Sequence, residues 1–275
     1  MRLYRAAHAR DSITATDAYG TASFKCQLAP LELFKIEGTK VKVRQLSTAP
    51  DVTIPARGAI RINGDVFLIG HGSTDFWKGK PIRVNYVTQG ADGLATLTTI
   101  EGALAATPGV QAYASAEFSR YVPEGGDSSK YPPQYELFLA ESETIAADML
   151  VSLNGLWYLV KESYKSPSGV RVALANVLAD PVFETVSLSV NTYDPVADAT
   201  TSVTTSHPIM RVKWTEHYTY LSIGTETYER GDQQVFMLKT ATPKPSDTLT
   251  LSDGTWRILA VQDEGTRWSC HVRRS

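Results

Sequence analysis

Asp148-Met149-Leu150-Val151-Ser152-Leu153-Asn154-Gly155-Leu156-Trp157-Tyr158-Leu159-Val160 is the stretch whose reading decides the fold. Two short, apolar-rich runs flank Asn154-Gly155. Asn-Gly tolerates positive φ at both central positions of a type I′ turn, whose twist matches that of the strands it joins. The stretch therefore predicts a β-hairpin. The same grammar appears upstream, where Gly58-Ala59-Ile60-Arg61-Ile62 leads through Asn63-Gly64 to Val66-Phe67-Leu68-Ile69. It appears again downstream, where Asp247-Thr248-Leu249-Thr250-Leu251-Ser252 leads through Asp253-Gly254 to Trp256-Arg257-Ile258-Leu259-Ala260-Val261.

Each hairpin has the same surroundings. A closing strand follows it: Ile82 to Val87, Val170 to Leu174 and Trp268 to Val272. An alternating strand precedes it: Lys40 to Arg44, Tyr135 to Leu139 and Gln234 to Lys239. Period-2 alternation of this kind marks strands with one buried face. A Ser, Thr, Ala and Pro-rich connector joins the preceding strand to the hairpin, as in Leu46-Ser47-Thr48-Ala49-Pro50 and Thr240-Ala241-Thr242-Pro243-Lys244-Pro245. Weaker candidate strands at Ser23 to Leu28, Ala112 to Tyr121 and Ile209 to Trp214 complete each set. The turn glycines at 64, 155 and 254 stand 91 and 99 residues apart, a domain-sized period. The expectation is an all-β chain of two to three small β-barrel or β-sandwich units in tandem, with little helix. The units are bounded at 1–90, 91–182 and 183–275. Closure into barrels would remove exposed strand edges.

Trp157 and Trp256 both stand two residues after the turn glycine, with Val66 at that place in the first unit, and are read as structurally equivalent residues packed on a sheet. Leu94, Leu97, Ile100 and Leu104 fall near helical spacing, but Gly90, Gly93, Gly102 and Gly109 interrupt them. At most a short helix is expected there, in a linker between the first two units. The run 122–134, with Pro123, Gly125, Gly126, Pro132 and Pro133, has the composition of an exposed loop.

Bulk composition narrows the function classes. Lys and Arg number 27 against 29 Asp and Glu, a formal net charge of −2, which lacks the basic footprint of a duplex-binding domain. No signal-peptide pattern opens the chain and no segment approaches ~18 apolar residues, so a cytosolic product without a membrane partner is expected. Cys26 and Cys270 are too few for a disulfide framework or a four-ligand zinc site and read as buried thiols.

No catalytic or metal motif stands out, and no cofactor is expected. Gly70-His71-Gly72-Ser73-Thr74 lacks the Gly-x-Ser-x-Gly spacing of a hydrolase nucleophile elbow. His8, His71, His207, His217 and His271 form no i, i+4 pair and read as satisfied surface or core residues. Carboxylate pairs such as Asp263 with Glu264 fall in predicted turns, whereas glycosidase chemistry needs two carboxylates held across a cleft. Phosphate-binding glycine motifs are absent. Most of the five Trp, thirteen Tyr and eight Phe are expected in cores.

The unit carried by Asp148 to Val160 and Asp247 to Val261, a leading Asp, alternating apolar residues, an Asn/Asp-Gly turn and a Trp, resembles the small barrels of tailed-phage head-closure, tail-completion and neck proteins. In the first unit Gly58 and Val66 replace the Asp and the Trp. The resemblance implies a non-enzymatic virion protein, assembled in the host cytoplasm. It would form a homo-oligomeric ring at the head–tail interface, between a portal or adaptor protein and tail proteins, with packaged DNA in the lumen. Candidate interface residues are Arg2, Arg5, Arg10, Arg120, Tyr121, Glu124, Asp127, Lys130, Arg273 and Arg274, while Asn63, Gly64, Asn154, Gly155, Asp253 and Gly254 are the structural turns. Two alternatives stay open. One is another tail component, such as a tube-end, baseplate or fibre-attachment subunit, and the other is a carbohydrate-binding or carbohydrate-degrading β protein.

Overall fold

The computed structural model describes residues 12–29, 32–36, 39–119, 134–166, 168–178, 180–195, 198–213 and 231–275. The first unit holds β1 (Ile13–Asp17), β2 (Ser23–Leu28), β3 (Glu32–Ile36), β4 (Thr39–Thr48), β5 (Ala59–Ile62), β6 (Asp65–Trp77) and β7 (Lys80–Gly90). Six of these strands close into a ring, β2–β4 pairing at one seam and β1–β5 at the other, and β3 extends β4 as an added hairpin strand. The second barrel comprises β8 (Gly93–Thr99), the short helix α1 (Ile100–Leu104), β9 (Val110–Ser119), β10 (Gln134–Leu139), β11 (Met149–Leu153), β12 (Leu156–Lys165) and β13 (Arg171–Val177). The third comprises β14 (Val182–Asp194), β15 (Ala199–Lys213), β16 (Gln233–Leu238), β17 (Thr248–Leu251), β18 (Gly254–Asp263) and β19 (Arg267–Arg274).

All three rings have one antiparallel topology. The first three ring strands lie in succession, and the last three form a meander. The third then pairs with the sixth, and the fourth closes on the first, as in β10–β13 with β11–β8 and in β16–β19 with β14–β17. In the first barrel the corresponding pairs are β4–β7 and β5–β1. Even the irregularities repeat. A bulge interrupts the pairing of the last two strands after Ile69, Val160 and Ile258, each four residues into its strand. Bulges bend a strand and increase its twist, as closing a small barrel requires. The chain is thus all-β and built of three closed barrels in tandem.

Period-2 geometry explains how these strands serve two cores at once. On β10, Leu137 and Leu139 enter the barrel-2 core, while Phe138 points outward into a cluster shared with Ala59 and Leu68 of barrel 1. Val151 and Leu153 of β11 and Tyr158 and Val160 of β12 fill the same core, while Leu150 and Leu159 point outward. There they meet Met210, Val212 and Phe236 from the outside of barrel 3. Barrel 2 is therefore clamped between its neighbours. Leu150-Val151 on β11 and Tyr158-Leu159-Val160 on β12 read as continuous apolar runs because both faces are covered there.

Several local expectations are corrected. Asn63-Gly64 and Asn154-Gly155 form two-residue turns with φ of 52° and 96°, and of 51° and 81°. The third turn is shifted: Leu251 pairs with Gly254, so Ser252-Asp253 occupies the loop and Gly254, at φ 136°, sits in the ladder. A one-residue slip exchanges the faces of a strand. Trp256 is consequently inside the barrel-3 core, whereas Trp157 faces outward and packs against the junction with barrel 3. The two tryptophans are not equivalent.

The region read as a linker is the first strand of barrel 2. Residues at Gly93–Thr99 pair with both β9 and β11, and the five-residue α1 follows, with the Thr99 hydroxyl accepting from the Gly102 N–H at 2.9 Å. Ile100 and Leu104 of α1 are buried in the barrel 2–3 cluster. Gln134, read as loop, opens β10 opposite Ser119 and Asn176. Val182, placed at the end of the second unit, pairs with Arg211 and opens the third barrel. The rest of the loop 122–134 lies outside the described residues.

Candidate functional site

The glycine-rich stretch Gly70-His71-Gly72-Ser73 lies at the β6 bulge, where barrel 1 touches barrel 2. A Cβ added to Gly70 would stand 2.2 Å from the Ser168 carbonyl oxygen, and one added to Gly169 would stand 2.3 Å from the His71 nitrogen. The His71 N–H donates to the Ser168 carbonyl at 2.6 Å across this seam. These glycines permit backbone-to-backbone contact between two barrels. Ser73 lies exposed on the ladder opposite Asn85, and His71 is exposed as well.

The other polar groups singled out from sequence also have structural partners. His271 is fully buried, its Nε2 2.6 Å from Asp232 Oδ2, and Arg273 donates from Nε to Asp232 Oδ1 and from Nη2 to Oδ2, each at 2.8 Å. Arg274 Nη2 donates to the Asp253 carbonyl at 2.7 Å. The guanidinium groups of these two candidate interface residues are thus engaged within barrel 3. Burial lowers the pKa of His207, which lies 2.8 Å from the Thr205 hydroxyl. Asp263 pairs with Lys239 and Glu264 with Arg267, so that carboxylate pair faces two cations. Trp268 is half-buried and donates to the Ala241 carbonyl. Arg2, Arg5, Arg10, Arg120, Tyr121, Glu124, Asp127, Lys130, His8 and His217 lie outside the described residues. Among the described residues no group of three or more His, Cys, Asp and Glu side chains is placed to hold a metal ion.

Polar latches reinforce both junctions. Between barrels 1 and 2, Arg57 pairs with Glu143 at 2.9 Å and stacks 3.8 Å from the centroid of the Tyr19 ring. The Tyr19 hydroxyl accepts from the Tyr113 N–H at 2.8 Å. Burial raises the pKa of that phenol above its ordinary value. Between barrels 2 and 3, the 7% exposed Arg267 meets Glu101 of α1 at 2.9 Å and Glu264 at 2.6 Å. The Thr266 hydroxyl donates to the same Glu101 oxygen at 2.6 Å. Burial works to raise the Glu101 pKa, but these hydrogen bonds and the guanidinium outweigh it and hold the carboxyl below its ordinary value. Close by, desolvation lowers the pKa of Lys161 at the β12 bulge. Apolar burial and charge-assisted bonds together make the three barrels one continuous body.

Two features among the described residues of barrels 1 and 2 stand out, and they lie at opposite ends of the same hairpin. At one end, β6 and β7 run past the strands that flank them, and Lys78-Gly79 makes a left-handed turn with φ of 50° and 73°. The tip carries Phe76 and Trp77, 64% and 63% exposed, next to Lys78 and Lys80. Just behind it Asp75 accepts from Asn85 and Arg83, and these bonds hold its carboxyl below the usual range. At the other end is a cleft of about 580 Å³ between barrels 1 and 2. Val66, Phe67 and Tyr113 supply apolar wall, and among the described lining residues Asp65, Asp92 and Glu117 stand against one cation, Arg44. A second long hairpin, β14–β15, also continues beyond its barrel, paired out to Asp194 and Ala199 with Val203 59% exposed.

Sequence reasoning missed the tip and the cleft. Trp77-Lys78-Gly79-Lys80 does contain a left-handed turn signal, Lys-Gly between strand segments, and that was the available clue. The cleft had none, because residues from β4, β6, β7, β8 and β9 meet there only after the barrels dock. No helix among the described residues is long and apolar enough to cross a membrane. No family model, no curated protein and no solved structure matches this chain.

Proposed function

We propose that the chain is a structural virion subunit. It forms a homo-oligomeric ring at the head–tail interface of a tailed phage, docks a portal or adaptor protein on one side and tail proteins on the other, and surrounds packaged DNA. The observation that carries this reading is the fusion of three topologically identical closed barrels through buried seams. Such a body presents fixed surfaces to unlike partners without spending free energy on ordering them at assembly. Hairpins that outrun the barrels offer lateral contacts, and identical lateral contacts repeated around an axis close a ring. The same surfaces suit another tail component, which location in the particle separates from the neck.

Electron microscopy of the purified protein and of the virion tests the proposal. Closed rings, and density for three stacked barrels between head and tail, are expected. A stable monomer absent from the particle overturns it. The exposed Trp77 favours the carbohydrate-binding alternative as a second reading, since a sugar ring stacks on such a face. Glycan-array binding that Trp77→Ala abolishes would support it.

A further inference from the structure

We infer that the tip of the β6–β7 hairpin of one copy inserts into the cleft between barrels 1 and 2 of the next copy. This inference rests on the ring reading above and names the contact that builds the ring. The complementarity is twofold. The tip presents two aromatic rings and two ammonium groups, from Phe76, Trp77, Lys78 and Lys80. Among its described residues the cleft presents apolar wall and three carboxylates, from Asp65, Asp92 and Glu117, against the one guanidinium of Arg44. Buried aromatic anchors flanked by matched charge are what protein interfaces use for affinity and register. Each aromatic side chain brings about 150–250 Å² of surface to bury.

The geometry requires a second molecule. Asp65 and Gly90 mark the cleft end of the hairpin and Trp77 and Lys80 its tip, with the strand ladder running between them. At ~3.3 Å per residue, the path along β6 from Asp65 to Trp77 is roughly 40 Å, so a tip cannot fold into its own cleft. A contact between different patches on identical subunits is heterologous, and it propagates into a ring when the rotation closes. The cleft lining is open to an incoming chain at Gly64 and Gly90, which are exposed and where an added Cβ would meet nothing within 4 Å. The tip's charge argues against a nucleic-acid arm. The nearby Arg83 is held by Asp75 at 2.7 Å, which leaves Lys78 and Lys80 as the cations of the described tip, a small set for a row of phosphates.

Cysteine crosslinking of full-length chains tests the contact, because the native Cys26 and Cys270 are fully buried. A chain with Lys78→Cys is mixed with a chain carrying Asp65→Cys and oxidised. A disulfide-linked dimer is expected in at least tenfold higher yield than with the exposed control Gln262→Cys. Adding Trp77→Ala to the Lys78→Cys chain, with its circular dichroism unchanged, should abolish the product. Charge exchange, Lys78→Glu with Lys80→Glu against Asp65→Lys with Asp92→Lys, should restore an association that either half alone weakens at least tenfold. Rings that form without the crosslink overturn the docking and leave the ring reading intact. The crosslink with open filaments or dimers upholds the docking and removes the ring. Absence of both overturns both. Gel-shift binding to duplex DNA or sedimentation with anionic vesicles, lost on Trp77→Ala while no crosslink forms, overturns the docking in favour of those partners.

Discussion

Trp157 and Trp256 stand two residues after Gly155 and Gly254 and face opposite sides of their barrels. Trp157 lies opposite Ser152 on the outside, its ring 5.1 Å from that of Phe183, while Trp256 lies opposite Leu249 in the core, 3% exposed. The shifted third turn makes the difference. Asp253, freed from the left-handed conformation, accepts from Trp256 Nε1 at 3.0 Å and from Arg211 Nη1 at 2.8 Å. Burial works to raise the Asp253 pKa, but these bonds and the Arg211 charge hold it below the usual value.

Truncating the two tryptophans should therefore have unequal effects. Trp256→Ala opens a cavity in the barrel-3 core and should cost about 3–5 kcal/mol. Trp157→Ala removes only a half-buried outer contact and should cost about 1–2 kcal/mol. Chemical denaturation followed by far-UV circular dichroism measures both.

The barrel 1–2 seam depends on glycine. Gly70→Ala and Gly169→Ala each drive a methyl against facing backbone, and Gly169 also holds φ at +80°. Each should destabilise the junction by roughly 1–3 kcal/mol. Faster limited proteolysis between the first two barrels, with the barrel-3 transition unchanged, is the expected readout.

The barrel 2–3 latch should be acid-sensitive. Glu101 has a folded pKa below its unfolded one, so its contribution is complete above the ordinary glutamate range, about 4.3, and is lost as pH falls through the lower folded value. Thermal melts from pH 7 to pH 3 should show this loss in the native protein. Arg267→Met removes the cation and should flatten the dependence. Arg267→Ala should in addition lower stability at pH 7 by about 2–3 kcal/mol, less than for a fully buried pair because Glu101 and Glu264 keep some solvent contact.

Both thiols should be inert until the barrels open. Burial pushes Cys26 up to about 11 and Cys270 up to about 12. The reactive thiolate is therefore scarce at neutral pH. Ellman's reagent should modify neither cysteine in the native protein at pH 8, and both within minutes in denaturant.

Much of this architecture was legible in local chemistry. Asn63-Gly64 and Asn154-Gly155 dictate their turns because few other residues reach positive φ twice in succession. Alternation around them marks the strands, and their threefold return marks the tandem units. Tertiary structure alone decided which face of each strand is which. On β11, Leu150 and Val151 are equally apolar, yet one seals the contact with barrel 3 and the other fills the core of barrel 2. Periodicity loses its meaning when both faces are buried. The same limit hid the single-residue slip that turned Trp256 inward, the service of Gly70 and Gly169 as a docking seam, and the cleft between barrels 1 and 2. Each arises from the meeting of segments far apart in the chain, and a short window of residues carries no record of its partner.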